Sequence, residues 1–572
     1  MLRGAARFLF CALPAIAAAQ DALTPLQGPA GWMPRPAVTA SEWLAVTANG
    51  HATDAAAEIL ALGGSAVDAA IASQMVLGLV EPQSSGIGGG AFMLHWDAGR
   101  GVLAAFDGRE TAPAAAQPDR FMAAAGRPLA FTEVVATGRA VGTPGVVAML
   151  AQAHERHGRL RWERLFRPAI RLAENGFAIS PRLHGLLRVD RHLRDSPVTR
   201  GLYFTAAGEP KPVGDVLRNP AYAATLRQLA EGGAPEFYRG SLARDIVAGV
   251  AVAGGDLTPA DLANYLPRTR APVCNPYRQW RVCSMPPPSS GGITLLQILG
   301  VVERLLPRSR PLDPDTIHAF SEAGRLAFAD RARYLGDPDF VAVPQTELLD
   351  RGYLDRRAAL VGSDRSMGKA PPGELSSSLS HSDDASPERP STTHLSIIDR
   401  EGNAVAMTSS VEDAFGSRIM VGGFLLNNQL TDFSFTPADD GNPAANRVEP
   451  GKRPLSSMAP TMVFDAADRL VAVLGSPGGQ RIINYVAATV LGLLEWQLPA
   501  EQVLVLPHAG SRNGPTEIER GPHAATLAKA LERRGHVVRV LDLNSGLHVI
   551  VRDGEHWRGA VDPRREGTAR GR

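Results

Sequence analysis

Only three cysteines, at positions 11, 274 and 283, occur in 572 residues. Charge of one sign is missing too: Lys+Arg number 59 against Asp+Glu 58, a net charge of +1, with no run of like charge. That balance gives neither nucleic acid nor an anionic membrane a reason to bind. There is no repeat at a solenoid period. Beyond the N-terminus no apolar run is long enough to span a bilayer. What remains is ordinary globular composition, 44% hydrophobic and 20% charged, able to bury a large core.

The N-terminus is different. "MLRGAARFLFCALPAIAAAQ" places Arg3 and Arg7 before an apolar run from Phe8 to Ala19. Ala17 and Ala19 suit an A-x-A cleavage site, so residues 1–19 read as a secretory signal peptide. Phe10 is too bulky for the position before a lipidated cysteine. The expected product is exported, to the periplasm or beyond, with no membrane span after signal removal. It keeps Cys274 and Cys283, in "PVCNPYRQWRVCSM". Two ligands at this spacing do not make a metal site. A strand from Tyr277 to Val282, following an Asn-Pro turn, lets the two cysteines face one another across a hairpin. A disulfide and two buried free thiols both remain open.

Several familiar chemistries are excluded by order or spacing. "SSGIGGGA" (84–91) has the glycines of a dinucleotide fingerprint, but a helix precedes it and a strand follows. The fingerprint needs the reverse, so close backbone packing is the expectation. No Gly-x-Ser-x-Gly elbow is present. "HERH" (154–157) lacks the His-Glu-x-x-His spacing and reads as a solvated helix face. No cofactor and no metal are implied. Helices and strands mix throughout. Residues 65–82 open with a Ser-x-x-Asp cap and close at Pro82, and 314–335 reads as an amphipathic helix.

"PERPSTTHLSIIDREGNAVAMTSSVEDAFG" (387–416) carries the main oddity. A Pro- and Ser-rich segment, 364–391, has no hydrophobic period and reads as disordered. It ends on hydroxyl residues at the head of a patterned strand. Either it is a linker between domains, or the chain is cut there and Thr392 becomes a new N-terminus. "THLSIID" and "NAVAMTSSV" flank Arg-Glu-Gly and pair as an antiparallel hairpin. A turn centred on residue 401 sets Thr392 opposite Ser410, with Cβ atoms about 4.5–5.5 Å apart. Glu412 has the same parity and shares that face. By itself the pattern fits a surface Thr–Ser pair as well as a catalytic one.

Seven motifs in one order narrow the choice: "DGRETAP" (107–113), "MPPPSSGG" (285–292), "ADRARYLGDPDF" (329–340), "TTHLSIID" (392–399), "LLNNQLTDFS" (425–434), "KRPLSSM" (452–458) and "GSPGGQRII" (475–483). From about residue 40 to its end the chain resembles the γ-glutamyltranspeptidases, or glutathione hydrolases, of the N-terminal-nucleophile hydrolase superfamily. The resemblance implies an α/β (α+β) fold, a four-layer αββα sandwich with Thr392 leading a central strand. It implies self-cleavage between Ser391 and Thr392. The product is a large subunit, 20–391, and a small one, 392–572, held together as one globular unit without a covalent link.

The implied chemistry is self-sufficient. A threonine hydroxyl needs an adjacent base, and a free α-amino group, with an ordinary pKa of about 7.7–8.0, supplies one on the same residue. By the resemblance Thr392 forms a γ-glutamyl ester, Ser410 orients it, and Gly478 and Gly479 form the oxyanion hole. Arg109 grips the substrate α-carboxylate with a two-pronged guanidinium, assisted by Ser456 and Ser457. Glu412, Gln429 and Asp432 surround the α-ammonium, although some relatives carry Asn where Glu412 stands. Implied partners are glutathione or a related γ-glutamyl compound, and water or an amino-acid or peptide acceptor. Some members seal the pocket with a tyrosine after the "NNQLTDF" motif. Residues 434–451 contain none, which points to a more open site and to hydrolysis over transfer. Two alternatives stand beside this expectation: a glutaryl-cephalosporin acylase of the same fold, and an unprocessed, non-catalytic periplasmic binding protein.

Overall fold

The computed structural model describes residues 31–124, 126–306, 308, 310–376, 381–384, 386, 389 and 391–572. The expected signal peptide lies outside them.

Two antiparallel sheets of seven strands follow from strands that alternate in what each face packs against. One sheet sets Thr568–Gly571, Leu44–Thr47, Thr393–Ile398, Ala404–Ser410, Gly90–Asp97, Val102–Gly108 and Arg268–Arg270 side by side. In the Thr393–Ile398 strand, Leu395 and Ile397 pack beneath the helices Gly50–Ala61 and Ala66–Val80. Its even residues turn the other way. Ile398 enters a second core, and Ser396 Oγ donates to the carbonyl of His548 at 3.1 Å. His548 belongs to the second sheet, which runs Val38–Ala40, His556–Val561, His548–Asp553, Leu470–Gly475, Thr461–Phe464, Trp280–Ser284 and Val273–Tyr277. The helices Gly291–Leu305, Pro314–Tyr334 and Arg481–Leu494 cover its far face. The result is helix, sheet, sheet, helix, as expected.

The hairpin has the expected register. Thr393 stands opposite Ser409 and Ile398 opposite Ala404. Its turn is anchored as well as closed, because the Asp399 carboxylate accepts from the N–H groups of Glu401, Asn403 and Ala66. Ala66 opens the helix Ala66–Val80, where Ser65 and Asp68 form a capping box. That helix is buried along its whole length. Gly88 and Gly89, just beyond it, have no room for a side chain: a Cβ would lie 2.2 Å from the Leu425 carbonyl oxygen and 2.1 Å from that of Ser410. Close backbone packing is therefore the use of this glycine run.

Three expectations need correction. The turn between the cysteines is at Arg278–Gln279, with Arg278 at φ 52°, and not at Asn275-Pro276. Pro276 sits within the Val273–Tyr277 strand because that strand is an edge, where a missing N–H costs nothing. Cys274 stands directly opposite Cys283, and their sulfurs are bonded. The helix Pro314–Tyr334 is not amphipathic but buried from Thr316 through Arg331, its charges engaged inside. The face of "HERH" is only partly solvated. His154 Nε2 pairs with the Leu160 carbonyl at 2.8 Å, and the His157 ring stacks on His95.

Parts of the segment expected to be disordered are held by partners distant in sequence. Ser366 and the Met367 N–H bond Glu322, Ala370 N–H bonds Asn513, and Gly373 N–H bonds Asp330. Polar composition denies such a stretch a core of its own, but not hydrogen bonds to someone else's.

Candidate active site

Thr392 occupies a backbone conformation that β-branched residues avoid, with φ at 103°. Four contacts hold it and its predecessor there. The Thr392 hydroxyl donates to Ser410 Oγ at 3.2 Å. The guanidinium of Arg565 donates to the Thr392 carbonyl at 3.2 Å. Ser391 Oγ donates to the Gln83 carbonyl at 2.7 Å, and the Gly478 N–H donates to the Ser391 carbonyl at 3.3 Å. Ser391 and Thr392 are both buried. An unusual φ that its surroundings over-determine is a place where strain serves function.

Gly478 and Gly479 reach this position because they alone tolerate it. Both have positive φ, 142° and 60°, and a Cβ on Gly478 would meet the Tyr485 ring at 2.8 Å. They immediately precede the helix Arg481–Leu494, whose N-terminus favours negative charge on an oxygen placed there. The Ser391 carbonyl thus rests on a donor suited to a developing oxyanion.

A pocket of about 260 Å³ opens beside Thr392. Ser410, Glu412, Arg109, Gln429, Asp432, Ser456, Ser457 and Gly479 all line it. Every site residue expected from the sequence is therefore at or against one place. Ser410 Oγ also accepts from the Glu412 N–H at 2.9 Å, which ties the partner of the Thr392 hydroxyl to the charged end. The "SSM" and "PPSS" motifs meet there: the Ser290 hydroxyl donates to the Ser456 carbonyl at 2.6 Å and the Ser289 hydroxyl to the Met458 carbonyl at 2.6 Å. Ser457 Oγ accepts from Arg331 at 3.2 Å.

The charges are pre-paired. Arg109 Nη2 donates to Asp432 Oδ2 at 2.6 Å and to the Leu455 carbonyl, while its Nε donates to the Pro454 carbonyl at 3.1 Å. With these donors engaged, the expected two-pronged grip needs Nη1 or the displacement of Asp432. Gln429 Nε2 donates to the same Asp432 oxygen at 2.6 Å. Asp432 Oδ1 and Gln429 Oε1 are buried without a protein partner. Glu412 accepts from Asn428 and from the Arg389 N–H. Burial, with the carboxylates of Asp432 and Asp413 beside it, pushes the Glu412 carboxyl well above the usual range. Burial raises Asp432 as well, opposed by Arg109. The unpartnered Asp432 Oδ1 and Gln429 Oε1, beside two carboxyls raised by burial, leave acceptors at this end of the pocket that a donor or cation would satisfy.

The chain matches the family described as Gamma-glutamyltranspeptidase over residues 52–571. It belongs to that family. Among similar proteins, the glutathione hydrolase proenzyme of Bacillus subtilis (strain 168) is 35% identical over 542 residues, covering 92% of this chain and 91% of the relative. The glutathione hydrolase proenzyme of Escherichia coli (strain K12) is 36% identical over 540 residues, covering 92% and 91%. Among solved structures, a cephalosporin acylase from Bacillus halodurans superposes with a TM-score of 0.82 at 28% identity, covering 94% of this chain and 97% of that one.

Membership in the γ-glutamyltranspeptidase family leaves some neighbours of Thr392 unexplained by any motif. Arg565, Gln83 and Arg389 all approach the site, yet none could be found from spacing. A further network joins the segments before and after residue 391. His318 bonds His536 at 2.7 Å, and Glu322 lies 3.8 Å from His536. These three have metal-ligand chemistry, but each is engaged by protein: His318 by the Gly362 carbonyl, His536 by Thr516, and Glu322 by Arg325. Among the described residues no helix is long and apolar enough to cross a membrane.

Proposed function

We propose that the chain is a self-processing γ-glutamyl hydrolase and transferase that carries its acyl group on Thr392. One observation carries the reading: the Thr392 hydroxyl sits on Ser410 while the adjoining Ser391 carbonyl sits on the Gly478 N–H. In the first reaction the hydroxyl attacks the Ser391 carbonyl, the C–N bond breaks as an ester forms, and the amine becomes the new terminus. Water then opens the ester. The large subunit, 20–391, and the small one, 392–572, stay together as a heterodimer, with buried contacts such as His318–His536 across the junction. In the second reaction the free α-amino group takes the proton of the same hydroxyl, which attacks the γ-glutamyl amide of glutathione or a related compound. An ester forms, the amide C–N bond breaks, and the proton passes to the departing amine. Gly478 and Gly479 receive the oxyanion. Arg109, Ser456 and Ser457 take the α-carboxylate, and Glu412, Gln429 and Asp432 take the ammonium. Water or an amino-acid acceptor releases the product. The N-terminal Arg-apolar-Ala layout supports export, most simply to the periplasm.

The acylase neighbour favours a second reading, removal of a glutaryl group. Glutaryl has no ammonium, and raised carboxyls at Glu412 and Asp432 would then have no cation to receive. The test is a denaturing gel with N-terminal sequencing, followed by turnover on γ-glutamyl and glutaryl anilides. Two chains, the smaller beginning Thr-Thr-His-Leu, with preference for γ-glutamyl, are expected. A single intact chain supports the binding-protein alternative, and faster glutaryl turnover supports the acylase.

A further inference from the structure

Arg565 has no task in that scheme. It lies near the C-terminus, 173 positions from Thr392, in a run that matches no motif used above. Yet it is 1% exposed, and its guanidinium bonds the Thr392 carbonyl. The structure makes room for it. Gly546 leaves a lane for the arginine stem, since a Cβ there would lie 2.7 Å from Arg565 Cδ and 2.7 Å from Pro477 of the oxyanion turn. The side chain thus runs past Gly546, which also packs against the loop before Gly478, to reach Thr392.

Two consequences follow from that placement. The bond to the Thr392 carbonyl acts on the C-terminal side of the residue with φ 103°, as Gly478 acts on the Ser391 carbonyl before it. The backbone around the bond to be cut is clamped from both sides. After cutting, the same guanidinium stands one residue's backbone from a free amino group. Burial pushes Arg565 down to about 9, which still leaves it charged at neutral pH, and a cation there disfavours the ammonium form.

Other charged groups face the same space. Arg182 is a second guanidinium, and Glu81, Asp562 and Tyr485 also act on Arg565. Asp562 is paired with Arg564 at 3.1 Å. Burial pushes Glu81 up to about 7, with Glu566 beside it adding to the rise. His548 is held neutral, pushed down to about 3 by burial. On the pocket side stand Glu412 and Arg389. Of these, Arg565 is the one bonded to Thr392 itself.

We propose that Arg565 is a positioning residue for Thr392, fixing its carbonyl for self-cleavage and afterwards keeping its α-amino group unprotonated near neutral pH. This rests on the reading of Thr392 as the nucleophile. The test uses the full chain with Arg565→Met and Arg565→Lys, read for cutting rate, thermal melting and the pH profile of kcat/KM on a γ-glutamyl anilide. In processed Arg565→Met the acid limb should move up by about one pH unit, because removing the cation raises the base's proton affinity. At pH 7 kcat should fall while KM changes by less than about threefold. Arg565→Lys keeps the charge and should hold the limb within about 0.3 units, with cutting slowed about tenfold by the lost planar contact. An Arg565→Met chain that melts like wild type but stays uncut also supports the clamp. If that variant does not fold, Arg565→Lys decides, and a wild-type cutting rate in it overturns the proposal. So does a processed Met variant with an unmoved acid limb. Failure of the underlying reading looks different, since wild-type protein would then yield no chain beginning at Thr392.

Discussion

The N–H of Gly478 donates to the carbonyl oxygen of Ser391 at 3.3 Å, across 87 residues of sequence and between the two sheets' ends. In the proposed scheme one donor would serve both the bond cut in the precursor and the oxyanion of each substrate. On the proposed reading, the site that matures the protein is also the site that works in it.

Gly478→Ala should fail at both. The new Cβ would press on Tyr485 at 2.8 Å and force alanine to φ 142°, so the turn must shift its N–H away. Losing one oxyanion donor costs about 2.7–4 kcal/mol, a fall of roughly a hundred- to a thousandfold. Cutting followed by gel and kcat on processed material are the measurements. Wild-type values for both would remove Gly478 from the oxyanion hole.

Ser410→Ala deletes the acceptor of the Thr392 hydroxyl and strands the Glu412 N–H that Ser410 also serves. A net hydrogen bond of about 0.5–1.5 kcal/mol implies cutting up to about tenfold slower, more if the stranded group matters. Ser410→Thr keeps the hydroxyl and should restore the rate. Equal rates in all three chains would show that the contact does nothing.

Much of this was legible in the sequence for identifiable reasons. A strand's period of two, with a compact turn at Arg400–Gly402, fixed Thr392 against Ser410 to the residue. The Ser65–Asp68 box marked its helix in the same local way. Pro276 misled because an edge strand excuses what a central strand forbids. The burial of the 314–334 helix was hidden because Glu322, Arg325 and Asp330 look like a solvated face until their partners are known. Arg565 and Gln83 were invisible for a simpler cause: only the folded chain brings them to Thr392.

The buried histidines should each make the fold more sensitive to acid. Burial pushes His95 and His548 down to about 3 and His536 down to about 4, all below an ordinary histidine. A depressed folded pKa means the unfolded chain binds more protons, so stability is intact above about pH 6.5 and is lost as pH falls toward 4. At pH 5.5 each such histidine costs about 1 kcal/mol. Buried carboxyls such as Glu81, raised to about 7, and Glu110, raised to about 8, gain stability over the same range, so the readout is a difference. Melting scans from pH 7.5 to 4.5 should show wild type losing more Tm below pH 6.5 than His536→Gln, and equal slopes would contradict the buried neutral assignment. His536→Gln should soften the drop.

Variants at Arg109 should separate substrate use from maturation. It lies against Asp432, Pro454 and Leu455, and the residues holding Ser391 and Thr392 do not include it. Arg109→Lys keeps one charge for Asp432 but cannot reproduce the bonds to both carbonyls, so it should be cut normally and turn over poorly. A lost charge-assisted bond of about 1.5–3 kcal/mol implies roughly a ten- to hundredfold fall in kcat/KM on a γ-glutamyl anilide. Arg109→Ala should be worse in a particular way. Without its cation the buried Asp432 carboxyl, already raised, takes up a proton more readily, and the ammonium end of the pocket weakens along with the carboxylate end. Breaking a buried pair also costs about 3–5 kcal/mol of stability, so a lowered Tm is expected in Ala and a smaller drop in Lys. Both variants should be compared only after a gel shows complete processing. Wild-type kcat/KM in processed Arg109→Ala would mean that the α-carboxylate binds elsewhere.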